Sequence, residues 1–278
     1  MTVLHDDLLL EEAETDAVVR PLRPAESPDR TVLGRLDLIL HAFGGNDGVL
    51  ALSEMSRRVN LPKSTVHRLA DQMCAVGWLE RKSGGYRVGL KLLDLGGVAL
   101  QRNGLRDVAF RHIHALAVKT GLGVQLALLD QSSVVYLDCI VLGRFKLPTR
   151  VGGREPAYCT GLGKAMLAFE DKDTQLAALQ DMPRRTASTV VDPREMQTEL
   201  ANIRRVQVAH DREEAYRGLG CVAAPILANG RAIGAISVSG PVGQIQARWL
   251  AQHVRDTALA ISERGPSAAP VQRAPHGP

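Results

Sequence analysis

The sequence predicts an α+β protein in two parts. The first is an N-terminal helix-turn-helix with a wing; the second is a C-terminal domain on a mainly antiparallel sheet. Three observations carry this. Between Ser53 and Gly89, two short amphipathic segments flank Asn60-Leu61-Pro62 and lead into a glycine-rich hairpin. Further on, the strand-like runs Val124–Leu129 with Val134–Ile140, and Val222–Leu227 with Ala232–Ser239, each face one another across a short polar turn. The helical segments stand apart from these pairs rather than alternating with single strands. At 278 residues, two domains are expected.

Residues 1–29 hold eight acidic residues against Arg20 and Arg23, a net charge of −6, and read as a disordered acidic arm. Val32–Phe43 is helical, with Leu33, Leu36, Ile39, Leu40 and Phe43 on one side, and Gly44-Gly45-Asn46-Asp47-Gly48 ends it. Ser53 caps the next helix, whose apolar positions are Met55 and Val59. Pro62 disfavours helix in the residue before it, which forces the turn. A second helix runs from about Ser64, where Val66, Leu69, Ala70 and Met73 fall at i, i+3, i+4 and i+7, one apolar stripe. Its other face carries Thr65, Arg68 and Gln72, with Lys63, Ser64 and His67 near the start. Trp78–Arg81 and Tyr86–Val88 flank the turn at Lys82-Ser83-Gly84-Gly85 and make the wing; Trp78 and Tyr86 anchor it to a core. The domain spans 30–90, and a linker helix over 91–104 carries Leu92, Leu93, Leu95 and Leu100, one side of which suits a second subunit.

In a helix-turn-helix the second helix enters the major groove, so Ser53, Lys63, Ser64, Thr65, His67, Arg68 and Gln72 are candidate DNA contacts. Arg81, Lys82 and Arg87 on the wing would meet phosphates or the minor groove. Ten Lys/Arg against five Asp/Glu over residues 30–91 give a net +5, the sign a polyanion requires. Over the whole chain the excess is only +4, which argues against a nucleoid-type architectural protein. No apolar run is long enough to span a membrane, and no secretory signal is expected. Cys74, Cys139, Cys159 and Cys221 show no CxxC spacing and read as reduced thiols of a cytoplasmic protein; no metal site or cofactor is expected.

The second domain, 105–265, is followed by a proline-bearing disordered tail over 266–278. Within it, Leu105–Thr120, Gly161–Phe169, Gln175–Leu179, Pro193–Val206 and Gln246–Glu263 read as helices. Three features look like a site. Ala157-Tyr158-Cys159-Thr160-Gly161-Leu162-Gly163-Lys164 places glycines at a helix start, where open N–H groups favour an anion; close packing on the sheet is the alternative. It is not a P-loop, because Tyr158 and Ala165 stand where glycine and Ser/Thr are needed. Ser237 and Ser239 lie two apart on a strand, so both hydroxyls face one side and need partners there. Asp211 precedes Cys221 by ten residues; taken alone, it reads as an exposed acid of the charged run Asp211-Arg212-Glu213-Glu214.

The motifs LPKSTVHRL, YRVG with KLLDLG, PAYCTGLGKAMLA, EEAYRGLGCVAAPI and AISVSGP together resemble the IclR family of transcriptional regulators over about 30–265. The resemblance implies a winged helix-turn-helix joined by a helix to a GAF-like effector-binding domain. It implies a homodimer or tetramer on a double-stranded DNA operator, and a small organic acid such as a keto acid or sugar acid as effector. Carried over position by position, the effector pocket falls on Thr160, Gly161, Asp211, Cys221, Ser237 and Ser239, with apolar walls from Leu147, Met166 and Leu219. Arg144, Lys146, Arg150 and Arg154 would lie near its entrance and favour anions, but taken singly each reads as part of a solvated basic loop. The expected function is a ligand-responsive regulator, a repressor rather than an activator. The alternative is a cysteine-dependent hydrolase or transferase for a small acid or ester, using Cys159 or Cys221 with His210.

Overall fold

The computed structural model describes residues 31–44, 48–101, 104–142 and 145–264. The acidic arm, the tail, Asn46-Asp47 of the glycine-rich turn, Arg102 and Arg144 lie outside the described residues. The chain divides into two compact units that meet between Ala99 and Leu100.

The first unit opens with α1 (Val32–His41), capped by the Thr31 hydroxyl, which accepts from the Gly34 N–H at 3.0 Å. The helix ends two residues before Phe43, and Leu33 is exposed, so the apolar side begins at Leu36 rather than Leu33. α2 (Leu52–Val59) and α3 (Lys63–Ala75) follow. Ser53 is not the cap of α2: Ala51 holds that position without a side-chain bond, and Ser53 lies exposed in the first turn. The turn is made by Asn60, which takes a left-handed conformation (φ 52°) that asparagine tolerates, and by the Ser56 hydroxyl donating to the Leu61 carbonyl at 2.6 Å. The wing strands β1 (Leu79–Lys82) and β2 (Gly85–Val88) pair antiparallel, and Leu50 bridges Tyr86 as a third edge. Ile39, Met55, Val66, Leu69, Met73, Leu79 and Tyr86 close one core, with Trp78 against its side. α4 (Lys91–Gln101) leaves Leu93, Leu95 and Val98 exposed, together with Leu90 just before it.

The second unit begins with α5 (Leu105–Thr120) and the hairpin β3 (Gly123–Asp130) and β4 (Ser133–Ile140). β5 (Arg154–Pro156), α6 (Gly161–Leu167), α7 (Lys172–Ala178) and α8 (Pro193–Val206) come next. β6 (Ala209–Arg212), the hairpin β7 (Leu219–Ala228) and β8 (Arg231–Pro241), and α9 (Ala247–Glu263) complete it. The six strands form one antiparallel sheet in the order β5-β4-β3-β8-β7-β6. The short strands β5 and β6 were not expected from the sequence. Asn229 (φ 51°) and Gly230 (φ 75°) make the β7–β8 turn, a pair of left-handed positions matched to the strand twist.

Alternation divides the sheet. One face, with Val124, Leu126, Val222, Ala224, Ile236 and Val238, packs on α5 and α9. The opposite face, with Ala127, Tyr136, Ala209, Ala223 and Ala235, packs on α6 and α8. The small residues of this second face let α6 approach closely, and the candidate effector residues sit here.

Candidate functional site

On the first unit, the stripe Val66, Leu69, Ala70 and Met73 is buried, which turns Lys63, Ser64, His67, Arg68 and Gln72 outward, with Thr65 half-buried. The wing cations are exposed and already paired. Arg87 donates to Glu80 at 2.6 Å, and Lys82 stands 3.7 Å from the same carboxylate. Arg81 pairs with Asp71 of α3 and lies over the Tyr86 ring, 5.7 Å from its centroid. Asp71 also stands 3.4 Å from His67, so one carboxylate ties the recognition helix to the wing. Exposed pairs of this kind contribute about 0–1 kcal/mol each, so a phosphate can displace them.

On the second unit, the sheet register brings the candidate effector residues together. Asp211 pairs with Cys221, Cys221 with Ser239, and Ser239 with Gly123, one row across β6, β7, β8 and β3. Two residues along, Ala223 pairs with Ser237 and Ser237 with Gln125. The two serine hydroxyls find their partner in Gln125, whose Oε1 accepts from Ser237 at 3.1 Å and from Ser239 at 2.7 Å. The Gln125 amide donates in turn to the Thr149 hydroxyl. Neither Gln125 nor Thr149 was singled out in the sequence; a polar residue inside the otherwise apolar run Val124–Leu129 was the available signal.

α6 lies over this row. The Thr160 hydroxyl caps it, accepting from the Gly163 N–H at 3.1 Å. A Cβ on Gly161 would meet the Cys221 sulfur at 2.5 Å and the Asp211 nitrogen at 3.6 Å, so only glycine lets the helix rest on the strands. The open anion cradle expected at this helix start is therefore partly filled by the protein itself. α6 is seven residues long, Thr160 uses the Gly163 N–H, and the Gly161 N–H is directed at the Cys221 thiol.

Asp211 is not an exposed loop acid. It is buried on β6, and its Oδ1 accepts from the Glu214 N–H at 2.7 Å. Burial pushes its carboxyl up to about 7 against the opposing pull of the Glu214 main-chain N–H, and the nearby Glu214 carboxylate adds to the rise. Behind it Lys164, completely buried on α6, donates to Glu214 at 2.6 Å and to Glu199 of α8 at 2.7 Å. Burial alone would lower the Lys164 ammonium, but the two carboxylates more than offset this and hold it above its ordinary value. Leu147 covers the Gly123 end of the row: a Cβ on Gly123 would meet Leu147 Cδ1 at 2.6 Å. Met166 is wholly buried in the core of this face, and Leu219 is half-buried two residues before Cys221.

The thiols are not nucleophiles. Burial pushes both Cys159 and Cys221 up to about 12, so neither is ionised near neutral pH. His210, the expected base, pairs with Val222, whose side chain faces α5 and α9; it therefore lies on the face of the sheet opposite Cys221.

A winged helix-turn-helix followed by a separate antiparallel sheet domain with a buried polar row defines the class of two-domain DNA-binding transcriptional regulators. The family comparisons agree. The IclR helix-turn-helix domain matches residues 32–83, and the bacterial transcriptional regulator IclR C-terminal domain matches 97–263. The chain belongs to the IclR family of transcriptional regulators, whose members are DNA-binding proteins and not enzymes. It is 31% identical over 230 residues to the HTH-type transcriptional regulator KdgR of Escherichia coli strain K12, covering 78% of this chain and 86% of that protein. It is 31% identical over 217 residues to the transcriptional repressor IclR of the same organism, covering 74% and 78%. The crystal structure of an IclR homolog from Microbacterium hydrocarbonoxydans, complexed with 4-hydroxybenzoate, superimposes with a TM-score of 0.74 at 29% identity, covering 84% of this chain and 98% of that one. Among the described residues, no helix is long and apolar enough to cross a membrane.

Proposed function

We propose that the protein is a cytoplasmic repressor that binds a palindromic or repeated operator through its first unit and releases it on binding a small organic acid in its second. The observation that carries the effector assignment is the buried row Asp211, Cys221 and Ser239 with Ser237 and Gln125 beside it, polar groups on a sheet face otherwise packed with apolar side chains. Gly161 and Leu147 border the row, and Thr160, Met166 and Leu219 are included with them in the proposed pocket. Similarity to a homolog complexed with 4-hydroxybenzoate adds an aromatic acid to the keto and sugar acids that could be sensed.

In this reading Lys63, Ser64, Thr65, His67, Arg68 and Gln72 meet the bases and phosphates of the major groove, with Ser53 at its edge. Arg81, Lys82 and Arg87 exchange their carboxylate partners for phosphates. The functional division follows 30–90, 91–104 and 105–265. The exposed Leu90, Leu93, Leu95 and Val98 suit a helix that pairs with a second copy, which supports a dimer or a tetramer of paired dimers. A ligand needs only about 1.4 kcal/mol of differential binding to shift operator affinity tenfold.

Gel-shift titration against the DNA upstream of the protein's own coding region, with and without keto, sugar and aromatic acids, tests the reading. A protected repeat released by one class of acid is expected. Binding that ignores sequence, or that no acid alters, would sink it.

A further inference from the structure

Lys164 is the only fully buried cation among the described residues; two carboxylates share it, and Asp211 stands close enough to feel its charge. Its ammonium donates to Glu199 and Glu214, and none of its hydrogen bonds reaches Asp211. Glu214 is the link: its side chain accepts from Lys164, while its main-chain N–H donates to the Asp211 carboxylate. The Glu214 carbonyl is held from the other side by the Thr189 hydroxyl at 2.8 Å. The turn that aims Asp211 is therefore clamped at both ends of one residue.

The same cluster has a surplus of acceptors. Glu214 Oε2 is buried and no donor reaches it. Around Asp211 stand Glu214, Lys164 from α6, Cys221 from β7 and Cys159 from the turn before α6, with His210 and Arg212 on either side along β6. Both thiols are held un-ionised, burial lowers His210 toward its neutral form, and the Arg212 side chain is exposed. One ammonium thus serves two buried carboxylates, Glu214 and Asp211, as well as the partly exposed Glu199, and a buried cluster in that state is relieved by holding a proton.

We propose that Lys164 is a positioning residue for the effector, fixing Asp211 through Glu214 so that Asp211 meets the ligand as a hydrogen-bond donor. The proposal rests on the effector-site reading above. It deepens that reading by naming the chemistry the Asp211 end accepts: an acceptor oxygen of a carboxylate or keto group, not an ammonium. The carboxyl of Asp211 lies near 7, so an acceptor arriving there draws a proton from solvent as it binds.

Carboxyl-resolved 13C NMR of the full-length chain, with Asp and Glu labelled and titrated from acid to alkaline pH, tests this. One Asp signal should titrate near neutrality and vanish in Asp211→Asn. In Glu214→Gln, which keeps the main-chain N–H, the midpoint should fall by about one pH unit, a tenfold change in acidity constant. In Lys164→Met, Glu214 should stay protonated through neutrality, and Lys164→Arg should restore its ionisation. An Asp211 signal in the ordinary acid range, or one unmoved in Glu214→Gln, overturns the proposal and leaves the effector-site reading standing. Should Lys164→Met fail to fold, Glu214→Gln decides. If instead the transition behaves as expected but operator release by pyruvate or 4-hydroxybenzoate is unchanged in Asp211→Asn, the effector-site reading falls, and the ligand role of Lys164 with it.

Discussion

Gly161 rests on Cys221 so closely that a single added Cβ would stand 2.5 Å from its sulfur. The contact joins the start of α6 to the middle of the polar row, so a change in one must move the other. Replacing Gly161 with Ala is expected to destabilise the second unit by about 1–3 kcal/mol through overpacking. It should also weaken the response to acids while operator binding persists. Thermal unfolding and gel shift on the same variant would show it; an unchanged melting temperature would contradict the packing described.

The elevated carboxyl of Asp211 makes stability depend on pH in a definite sense. Its folded value, about 7, lies above the ordinary 3.8, so the folded state holds this proton more tightly than the unfolded chain does. Its contribution is complete below about pH 4 and is lost as pH rises toward 7. The loss is at most about 4 kcal/mol. Urea unfolding of the wild type and of Asp211→Asn between pH 4 and 8 should diverge with this slope, the variant being the flatter of the two.

Removing the buried cation should cost more than any surface change. Lys164→Met leaves Glu214 in the interior without its ammonium, which is expected to lower stability by about 3–5 kcal/mol. A double variant, Lys164→Met with Glu214→Gln, should recover part of that loss in chemical denaturation. No recovery would mean that packing, not charge, dominates at Lys164.

On the DNA-reading unit, Arg68 and Lys82 are expected to fail differently. Arg68 is exposed on α3 and makes no ion pair among the described residues, so Arg68→Ala should cost about 1–3 kcal/mol on the operator and relax specificity at one position. Lys82→Ala should weaken all sequences alike and reduce the salt slope by about one.

Glu80 acts in the opposite direction. It neutralises Arg87 and Lys82 while no DNA is bound. Glu80→Gln should tighten non-specific binding by about two- to fivefold at low salt and steepen the salt dependence. Fluorescence anisotropy on a scrambled duplex would measure it; weaker binding would show that Glu80 aligns the wing rather than masking it.

What the sequence made legible follows from periodicity. The stripe Val66, Leu69, Ala70 and Met73 announced a helix and its buried side, and the spacing of Ser237 and Ser239 announced a shared face. Arg154–Pro156 and Ala209–Arg212 are too short to show any period, so β5 and β6 escaped notice, and with β6 the burial of Asp211. Gln125, Thr149 and the Lys164–Glu214–Glu199 cluster depend on partners far away in the chain, which only the register of six strands brings together. Ser53 shows the limit of local rules: a good capping residue was passed over because Ala51 already sits where the helix begins.

The sheet order has a consequence during synthesis. β3 lies early in the second unit, yet its partner β8 ends at Pro241, so the centre of the sheet cannot close until nearly the whole chain has emerged. The first unit ends at Ala99. With N-terminal domains folding first, a growing chain holds a finished DNA reader while the part proposed to govern it is still being made.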